Sequence, residues 1–349
     1  MITKRQYKII SFFLTRSLFL GLGISRILKL AKNDAWIACI LGAILGLLII
    51  SLIYKLKKNF ELGNNLDNSF RGKLVKLVLF LFASFCLHDV IISLTTMASS
   101  FFLTLTPPLL IGISVLLIVI YGNYKKISTF AKVAELLLPL SVIIFGTKFI
   151  SCFFITDYDN FLPIFYGQKL GVLKAAVSFG VLSSAPYFLL LTIKGVDVSY
   201  KEHISGYLWG SLTIMFTISS ITGVLGSSLS FLLRYPEYII LKKIKIFNFI
   251  ENIENILTFT WLFDLTILGL MSGYNIKKIL KTTFKKKGVF TSTYLLWLIA
   301  ILVVGVFVFN EHYTLTLSLY KYDVFILLGF ILVLLVVIGL LKLKKDKVG

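Results

Sequence analysis

The chain reads Gly21-Leu22-Gly23-Ile24-Ser25 near its start, and an apolar stretch near its middle contains Gly180, Ser183, Ser184, Ala185 and Pro186. Glycine costs backbone entropy in a helix, and proline removes a hydrogen-bond donor, so both stretches are weak points in otherwise apolar helices. Weak helices at matching places in the two halves of a chain are typical of transporters built from inverted repeats. In such folds the two broken helices meet near the middle of the membrane and can bind a solute there.

The composition is that of an integral membrane protein. The 349 residues have a mean hydropathy of +0.92, and 58% of them are hydrophobic, which is outside the usual range of soluble domains. Apolar stretches of about 18 residues or more predict membrane-spanning helices. We predict an all-α polytopic protein with about ten spans, at 7–28, 35–54, 74–103, 108–123, 127–154, 170–193, 204–225, 256–274, 289–309 and 322–341.

Ten spans divide into two sets of five, which we predict to form one transmembrane domain over 1–349. An odd number of spans per set makes the second set enter the membrane from the opposite side, which is the geometry of an inverted repeat. The repeats cover about 7–154 and about 170–341. The segment 229–250 alternates apolar with charged residues and predicts an amphipathic connector in the outer interface. It is either a simple interfacial connector, or a lid over the outer entrance or a docking surface for a partner.

The net charge of +20 is better explained by membrane orientation than by nucleic acid. Most lysine and arginine residues fall on segments that are cytoplasmic if the N-terminus is inside, which is the usual bias of membrane proteins. We therefore expect cytoplasmic termini, a lipid bilayer around the spans and no nucleic-acid partner. The cysteine spacing suggests no metal site or cofactor, and the chain contains no Walker loop, HExxH motif or nucleophile elbow, so an enzyme is not expected.

Ionisable side chains inside spans usually face the bundle interior or a cavity. Asp89 and Asp264 occupy the third span of each half, and Ser93 follows Asp89 by about one helical turn. We predict that these three residues form polar walls of a solute site. The alternative is that the two aspartates pair with Arg16, with Lys148 or with a helix end and only stabilise the bundle.

Two further ionisable residues are candidates for coupling or gating. His88 could carry a proton, because its unperturbed pKa is near neutral, or it could be a hydrogen-bonded packing residue. Glu135 lies three residues after Lys132, and this spacing favours a helical ion pair. A role for Glu135 in proton-driven transport is the alternative.

Several short stretches, in order along most of the chain, resemble the spore germination permease family, the B-subunit type of nutrient germinant receptors. The resemblance rests on the ordered set and not on any one stretch. The stretches are Asn33-Asp34-Ala35-Trp36-Ile37, Leu105-Thr106-Pro107, Ala131-Lys132-Val133-Ala134-Glu135 with Pro139, Asp159-Asn160-Phe161-Leu162-Pro163-Ile164, Tyr235-Pro236, and Phe249-Ile250-Glu251-Asn252-Ile253-Glu254 leading to Trp261 and Phe263.

The resemblance implies the amino acid–polyamine–organocation superfamily fold, with a solute site between the first and sixth spans. It also implies assembly with a larger membrane A subunit and a C lipoprotein in the inner membrane of a spore. Where the family commonly has Leu-Pro after the first broken helix, this chain has Ser25-Arg26, so Arg26 is a further candidate for gating at the outer mouth. Carried onto this sequence, the site falls at Gly21, Leu22, Gly23 and Ile24 and at Ser183, Ser184 and Ala185.

Three functional hypotheses follow. The first is a permease-like subunit of a nutrient germinant receptor, which binds a small solute such as an amino acid at mid-membrane and signals to partner subunits. The second is a free-standing amino-acid permease coupled to protons or Na⁺, located in a bacterial cell membrane. The third is an interaction scaffold that keeps the fold and binds no solute.

Overall fold

A computed structural model describes residues 2–20, 22–59, 70–165, 169–193, 198–233, 235–243, 253–284, 287–311 and 322–337. These residues contain no β-strand, and they form twelve α-helices with short 3₁₀ segments. The helices are α1 Lys4–Ser17, α2 Leu22–Ala31, α3 Ala35–Asn59, α4 Phe70–Phe101, α5 Pro108–Tyr124, α6 Ile127–Phe154, α7 Lys169–Ser184, α8 Tyr200–Ser230, α9 Pro236–Lys243, α10 Ile253–Thr283, α11 Lys287–Glu311 and α12 Tyr322–Val337.

The all-helical membrane fold predicted from the sequence is confirmed. The first span is α1 followed by α2, and the sixth is α7 followed by a 3₁₀ helix, Ala185–Thr192. The other predicted spans correspond to α3, α4, α5, α6, α8, α10, α11 and α12. Six helical stretches in the described part of the chain are long and apolar enough to cross a membrane, and α5 and α12 are shorter apolar helices. The first of the six joins α2 to α3, because only one 3₁₀ turn separates them.

The sequence sets the ends of several helices. Thr3 and Gln6 form a capping box at the start of α1, and Ser199 and Glu202 form another at the start of α8. Each box satisfies backbone N–H groups that have no partner within the helix. Pro108 begins α5, where its missing N–H costs nothing.

The two repeats pack on each other in a symmetric way. The second helix of each repeat lies along the broken helix of the other, so that α3 packs on α7 and α8 packs on α1. Both contacts use a pair of glycines four residues apart. A Cβ atom on Gly42 would come within 2.6 Å of the Ala176 carbonyl oxygen, and a Cβ on Gly206 would come within 2.6 Å of the Lys8 carbonyl oxygen. Small residues at these positions let the helix backbones approach closely.

The described part of the connector is packed into the bundle. Helix α9 contacts α2, α8 and α10, and Glu237, Ile240 and Leu241 on α9 are buried. The ring of Tyr238 stacks on Phe101 at the end of α4, with 4.0 Å between ring centroids. Residues 234 and 244–250 of the predicted connector lie outside the described residues.

Two of the loop stretches quoted above meet each other. Both carboxylate oxygens of Asp34 accept a hydrogen bond from the backbone N–H of Phe165, at 3.1 and 3.2 Å. The Asn33 side chain donates to the Leu162 carbonyl oxygen at 2.5 Å. The chain after the first broken helix is therefore tied to the chain that leads into the second repeat.

Candidate functional site

The first span is interrupted between α1 and α2. Helix α1 ends at Ser17, residues 18–20 form a turn, and the Ile24 N–H donates to the Phe19 carbonyl oxygen at 3.1 Å. A Cβ atom on Gly23 would lie 2.8 Å from the Leu18 carbonyl oxygen, so the break needs glycine at this position. Gly21 and the side chain of Leu22 lie outside the described residues.

The second break follows Ser184, where the α-helix tightens into a 3₁₀ helix with Pro186 in its first turn. The hydroxyls of Ser183 and Ser184 donate to the Gly180 carbonyl oxygen, at 3.1 and 2.6 Å. Both serines and Ala185 are fully buried. In this conformation the two serine hydroxyls are engaged by their own helix.

The two breaks lie next to each other. Gly23 approaches Leu182 on α7, and the rings of Phe19 and Phe179 are 4.9 Å apart between centroids. The predicted meeting of the first and sixth spans is therefore present in the fold. Their shared contact is apolar, and charged groups near the first break come from Arg16 of α1 and from α6 and α10.

A small cavity lies beside the first break. Its volume is about 20 Å³, which is enough for about one water molecule. Ile24 and Asp264, both predicted from the sequence, line this cavity. It is also lined by Arg16, Leu20, Ile144, Phe145, Lys148, Thr213, Ile214, Thr217, Leu241, Thr260 and Trp261.

A buried ion pair forms one wall of the cavity. Arg16 Nη2 lies 3.1 Å from Asp264 Oδ2, and both side chains are almost completely buried. Arg16 Nη1 donates to Ser141 Oγ at 3.2 Å, and its guanidinium lies 4.9 Å from the centroid of the Phe12 ring. Arg16 Nε and Asp264 Oδ1 have no hydrogen-bond partner in the described part of the chain. Asp264 thus pairs with Arg16, as one of the two interpretations of the sequence expected, and Arg16 Nε and Asp264 Oδ1 could each still form a hydrogen bond.

Two more charged residues extend this site. Lys148 on α6 is close enough to Glu237 on α9 for electrostatic attraction and close enough to Arg16 for repulsion. Sequence reasoning missed Glu237, because its local pattern predicted a surface connector. Its position directly after Tyr235-Pro236, one of the quoted stretches, was the available signal.

Asp89 belongs to a second charged group, nearer the end of the bundle where α12 begins. Arg26 on α2 forms an ion pair with Asp323 at the start of α12, and Asp89 is close enough to Asp323 to repel it. Ser93 is buried on the same helix as Asp89. His88 faces α11 near Gly305, and its Nε2 atom has no hydrogen-bond partner among the described residues.

Glu135 lies at the other end of the first broken helix. Its carboxylate is 3.2 Å from Arg5 Nε and accepts a hydrogen bond from Gln6 Nε2 at 3.0 Å. The expected i, i+3 partner Lys132 is replaced by these two residues, because α6 packs against the first turns of α1. Glu135 therefore joins two helices instead of stabilising one.

Sequence reasoning also missed an aromatic layer between α1, α3 and α8. The Tyr7 hydroxyl is hydrogen-bonded to His203 Nδ1 at 2.8 Å, and Lys57 Nζ lies 4.2 Å from the centroid of the Tyr7 ring. Tyr187 packs edge-on against His203. Lys57 and His203 fell just outside the predicted spans 35–54 and 204–225, so they were not treated as membrane residues.

A family model described as "Spore germination protein" matches residues 6–315, and the chain therefore belongs to the spore germination permease family. YndE of Bacillus subtilis (strain 168), a spore germination protein, is 22% identical over 265 residues, which span 73% of each chain. YfkT of the same organism, provisionally described in the same way, is 23% identical over 239 residues. That match spans 66% of each chain and leaves about a third of YfkT uncovered.

The fold is similar to that of known transporters. A crystal structure of a variant of the Eremococcus coleocola manganese transporter aligns with 97% of this chain and 74% of its own, at a TM-score of 0.50 and 8% identity. Identity this low shows the fold alone. The described residues contain no group of three His, Cys, Asp or Glu side chains placed to hold a metal ion. Family and fold together point to a transporter or receptor rather than an enzyme.

Proposed function

We propose that this protein is the permease-like subunit of a spore nutrient germinant receptor and that it binds an amino acid beside the break in its first span. The observation that carries the proposal is the buried pair of Arg16 and Asp264, which keeps Arg16 Nε and Asp264 Oδ1 without partners. A buried polar group without a partner is costly. A zwitterionic solute would offset this cost, with its carboxylate on Arg16 and its ammonium on Asp264.

The remaining sides of the proposed site come from both ends of the break. The N-terminus of α2 carries a partial positive charge and favours the solute carboxylate. Lys148 and Glu237 add one charge of each sign, so the site stays balanced overall. Leu22, Gly23 and Ile24 contribute backbone groups at the break, while Ser183, Ser184 and Ala185 support them from the sixth span.

Solute binding requires this site to open. A cavity of about 20 Å³ cannot hold an amino acid. Leu241 on α9 lines the cavity, so the connector acts as a lid that must move away when the solute enters. The solute then favours the open state by its differential affinity, and the change in α2 and α9 is passed to the partner subunits.

Two ion pairs serve as latches on the first broken helix. Arg26 with Asp323 holds α2 at one end, and Arg5 with Glu135 holds α1 at the other. Asp89 and Ser93, on α4 near the pair of Arg26 and Asp323, form a polar wall on the outer side of the proposed site, and His88 adjusts the packing of α4 on α11. Both termini are cytoplasmic in this proposal, and the membrane is the inner membrane of the spore.

The first experiment is purification of the tagged protein from native membranes, with identification of the proteins that accompany it. We expect stoichiometric recovery of a larger membrane A subunit and a C lipoprotein. Recovery of the chain alone from growing cells would instead support a free-standing permease. In that case uptake of radiolabelled amino acids into proteoliposomes would be the decisive measurement.

The Gly23→Ala variant tests the site itself. Its Cβ would lie too close to the Leu18 carbonyl oxygen, so we expect the geometry of the break to change. The rate of germination in response to the amino acid should then fall about tenfold. Germination is followed as the fall in optical density of a spore suspension after addition of amino-acid pools. Gly146→Ala is the matched control, because a Cβ there meets nothing within 4 Å. An unchanged response in the Gly23→Ala spores would argue against a site at the break.

A further inference from the structure

A second and much larger cavity lies between α1, α6 and α8. It is a groove of about 560 Å³, within the usual size of ligand pockets of about 300–1,000 Å³. Ile9 and Phe12 form its floor, and most of the lining is apolar. Val142 on one wall and Trp209 on the other are more than half exposed in the isolated chain, so the groove opens sideways onto the surface that faces lipid.

The groove has one closed end and one charged end. The rings of Phe149 and Phe216 meet at 4.8 Å between centroids and close it toward the outer part of α6 and α8. Arg5 and Lys8 line the opposite end, at the first turns of α1. Arg5 uses Nε for its contact with Glu135. Lys8 takes part in none of the ion pairs among the described residues, so a net positive charge remains at this mouth.

We propose that the groove binds an anionic phospholipid, with an acyl chain between α6 and α8 and the phosphate at Arg5 and Lys8. An apolar slot open to the bilayer fits an acyl chain, and cations at the end of the spans attract anionic head groups. Lysine reaches the head-group level while its methylene stem covers the apolar floor. The charge at the mouth favours an anionic lipid over a zwitterionic one.

The groove is also connected to the solute site. Ser141 lines the groove and accepts the hydrogen bond from Arg16 Nη1. Phe145 and Thr213 line both the groove and the small cavity. A lipid in the groove would therefore support the α6 and α8 side chains that hold the buried ion pair in place.

The test is lipid retention by the full-length protein. The protein is reconstituted in bilayers of equal parts phosphatidylglycerol and phosphatidylcholine, transferred to detergent, and the retained lipids are quantified by mass spectrometry. We expect phosphatidylglycerol to be enriched over phosphatidylcholine among the retained lipids. The Lys8→Ala variant should lower that enrichment about fivefold, because it loses one charged contact with the lipid head group. Lys281→Ala is the control, because this exposed lysine lies on the last turn of α10, away from the groove.

A second variant tests the acyl chain. Val142→Trp fills the groove from its exposed wall, and we expect it to lose both lipids without loss of folded protein on size-exclusion chromatography. Displacement of the lipid by glycerol phosphate would identify a site for free phosphate and overturn the proposal. An unchanged lipid ratio in the Lys8→Ala variant would also overturn it. A third outcome would also overturn the proposal. If the Val142→Trp protein kept its lipids but lost a partner subunit, a helix of that partner would be the occupant of the groove.

Discussion

Asp264 and Arg16 balance each other's charge in a region that is buried from bulk solvent. Removing one charge leaves the other buried without compensation, which typically costs about 3–5 kcal/mol. We therefore expect Asp264→Asn to lower the free energy of unfolding by about 3 kcal/mol. The double variant Arg16→Gln with Asp264→Asn should regain much of this loss, because neither charge remains. Chemical unfolding in detergent, followed by circular dichroism, measures both effects as a double-mutant cycle.

The exposed pair of Arg5 and Glu135 provides the comparison. Its side chains are 75% and 32% exposed, and exposed pairs contribute about 0–1 kcal/mol. Glu135→Gln should therefore change stability far less than Asp264→Asn. Equal losses in the two variants would show that the pair of Arg16 and Asp264 is not shielded from water.

The sequence identifies some residues of the proposed site but not their partners. Asp264 was identified because a carboxylate inside an apolar span is rare and needs a partner. The choice of Arg16 as that partner depends on the register of α1 against α10, which no local pattern contains. Glu237 could not be predicted as a buried residue, because its neighbours alternate in a way that also suits a helix on the membrane surface.

Close contacts between α3 and its neighbouring helices depend on glycines in α3. A Cβ atom on Gly46 would collide with the Tyr207 hydroxyl and lie 2.9 Å from Ser183 Oγ. We expect Gly46→Ala to lower the free energy of unfolding by about 1–3 kcal/mol, the usual cost of overpacking. Gly146→Ala should leave stability unchanged or raise it by up to about 1 kcal/mol, because alanine favours the helix. Thermal unfolding of both variants in the same detergent makes the comparison, and similar melting temperatures would contradict close packing of α3 on α7 and α8.

Features of single helices could be predicted from the sequence where they depend on residues within the same helix. The breaks after Ser17 and Ser184 follow from glycine and proline in apolar spans, and both are present. The spacing of Gly42 and Gly46 in the second span favours a close contact with another helix, but it does not identify which helix that is. Its counterpart, Gly206 and Gly210, was overlooked in the sequence, although the same spacing in the second span of each half is a sign of the repeat.

At the scale of the whole molecule, the two repeats are joined by contacts between spans that are distant in the sequence. The number of spans and the paired breaks predicted an inverted repeat, because an odd number of spans per set permits no other orientation. The position of α9 over the first break could not be predicted, since it depends on how both repeats pack. Because α9 contacts helices of both repeats, its movement could link both repeats to the proposed solute site.

Cross-linking α9 to α4 should therefore prevent the proposed receptor from binding its solute. Phe101 and Tyr238 stack between the end of α4 and α9, so cysteines at both positions can be joined by a short bifunctional thiol reagent. The native cysteines Cys39, Cys86 and Cys152 are buried and should react slowly. We expect the cross-linked Phe101→Cys, Tyr238→Cys protein to lose amino-acid binding, because the small cavity can enlarge only if α9 moves. A cleavable reagent should restore binding on reduction, and each single variant treated in the same way should bind normally. Binding by the locked protein would show that the solute reaches the site without movement of α9.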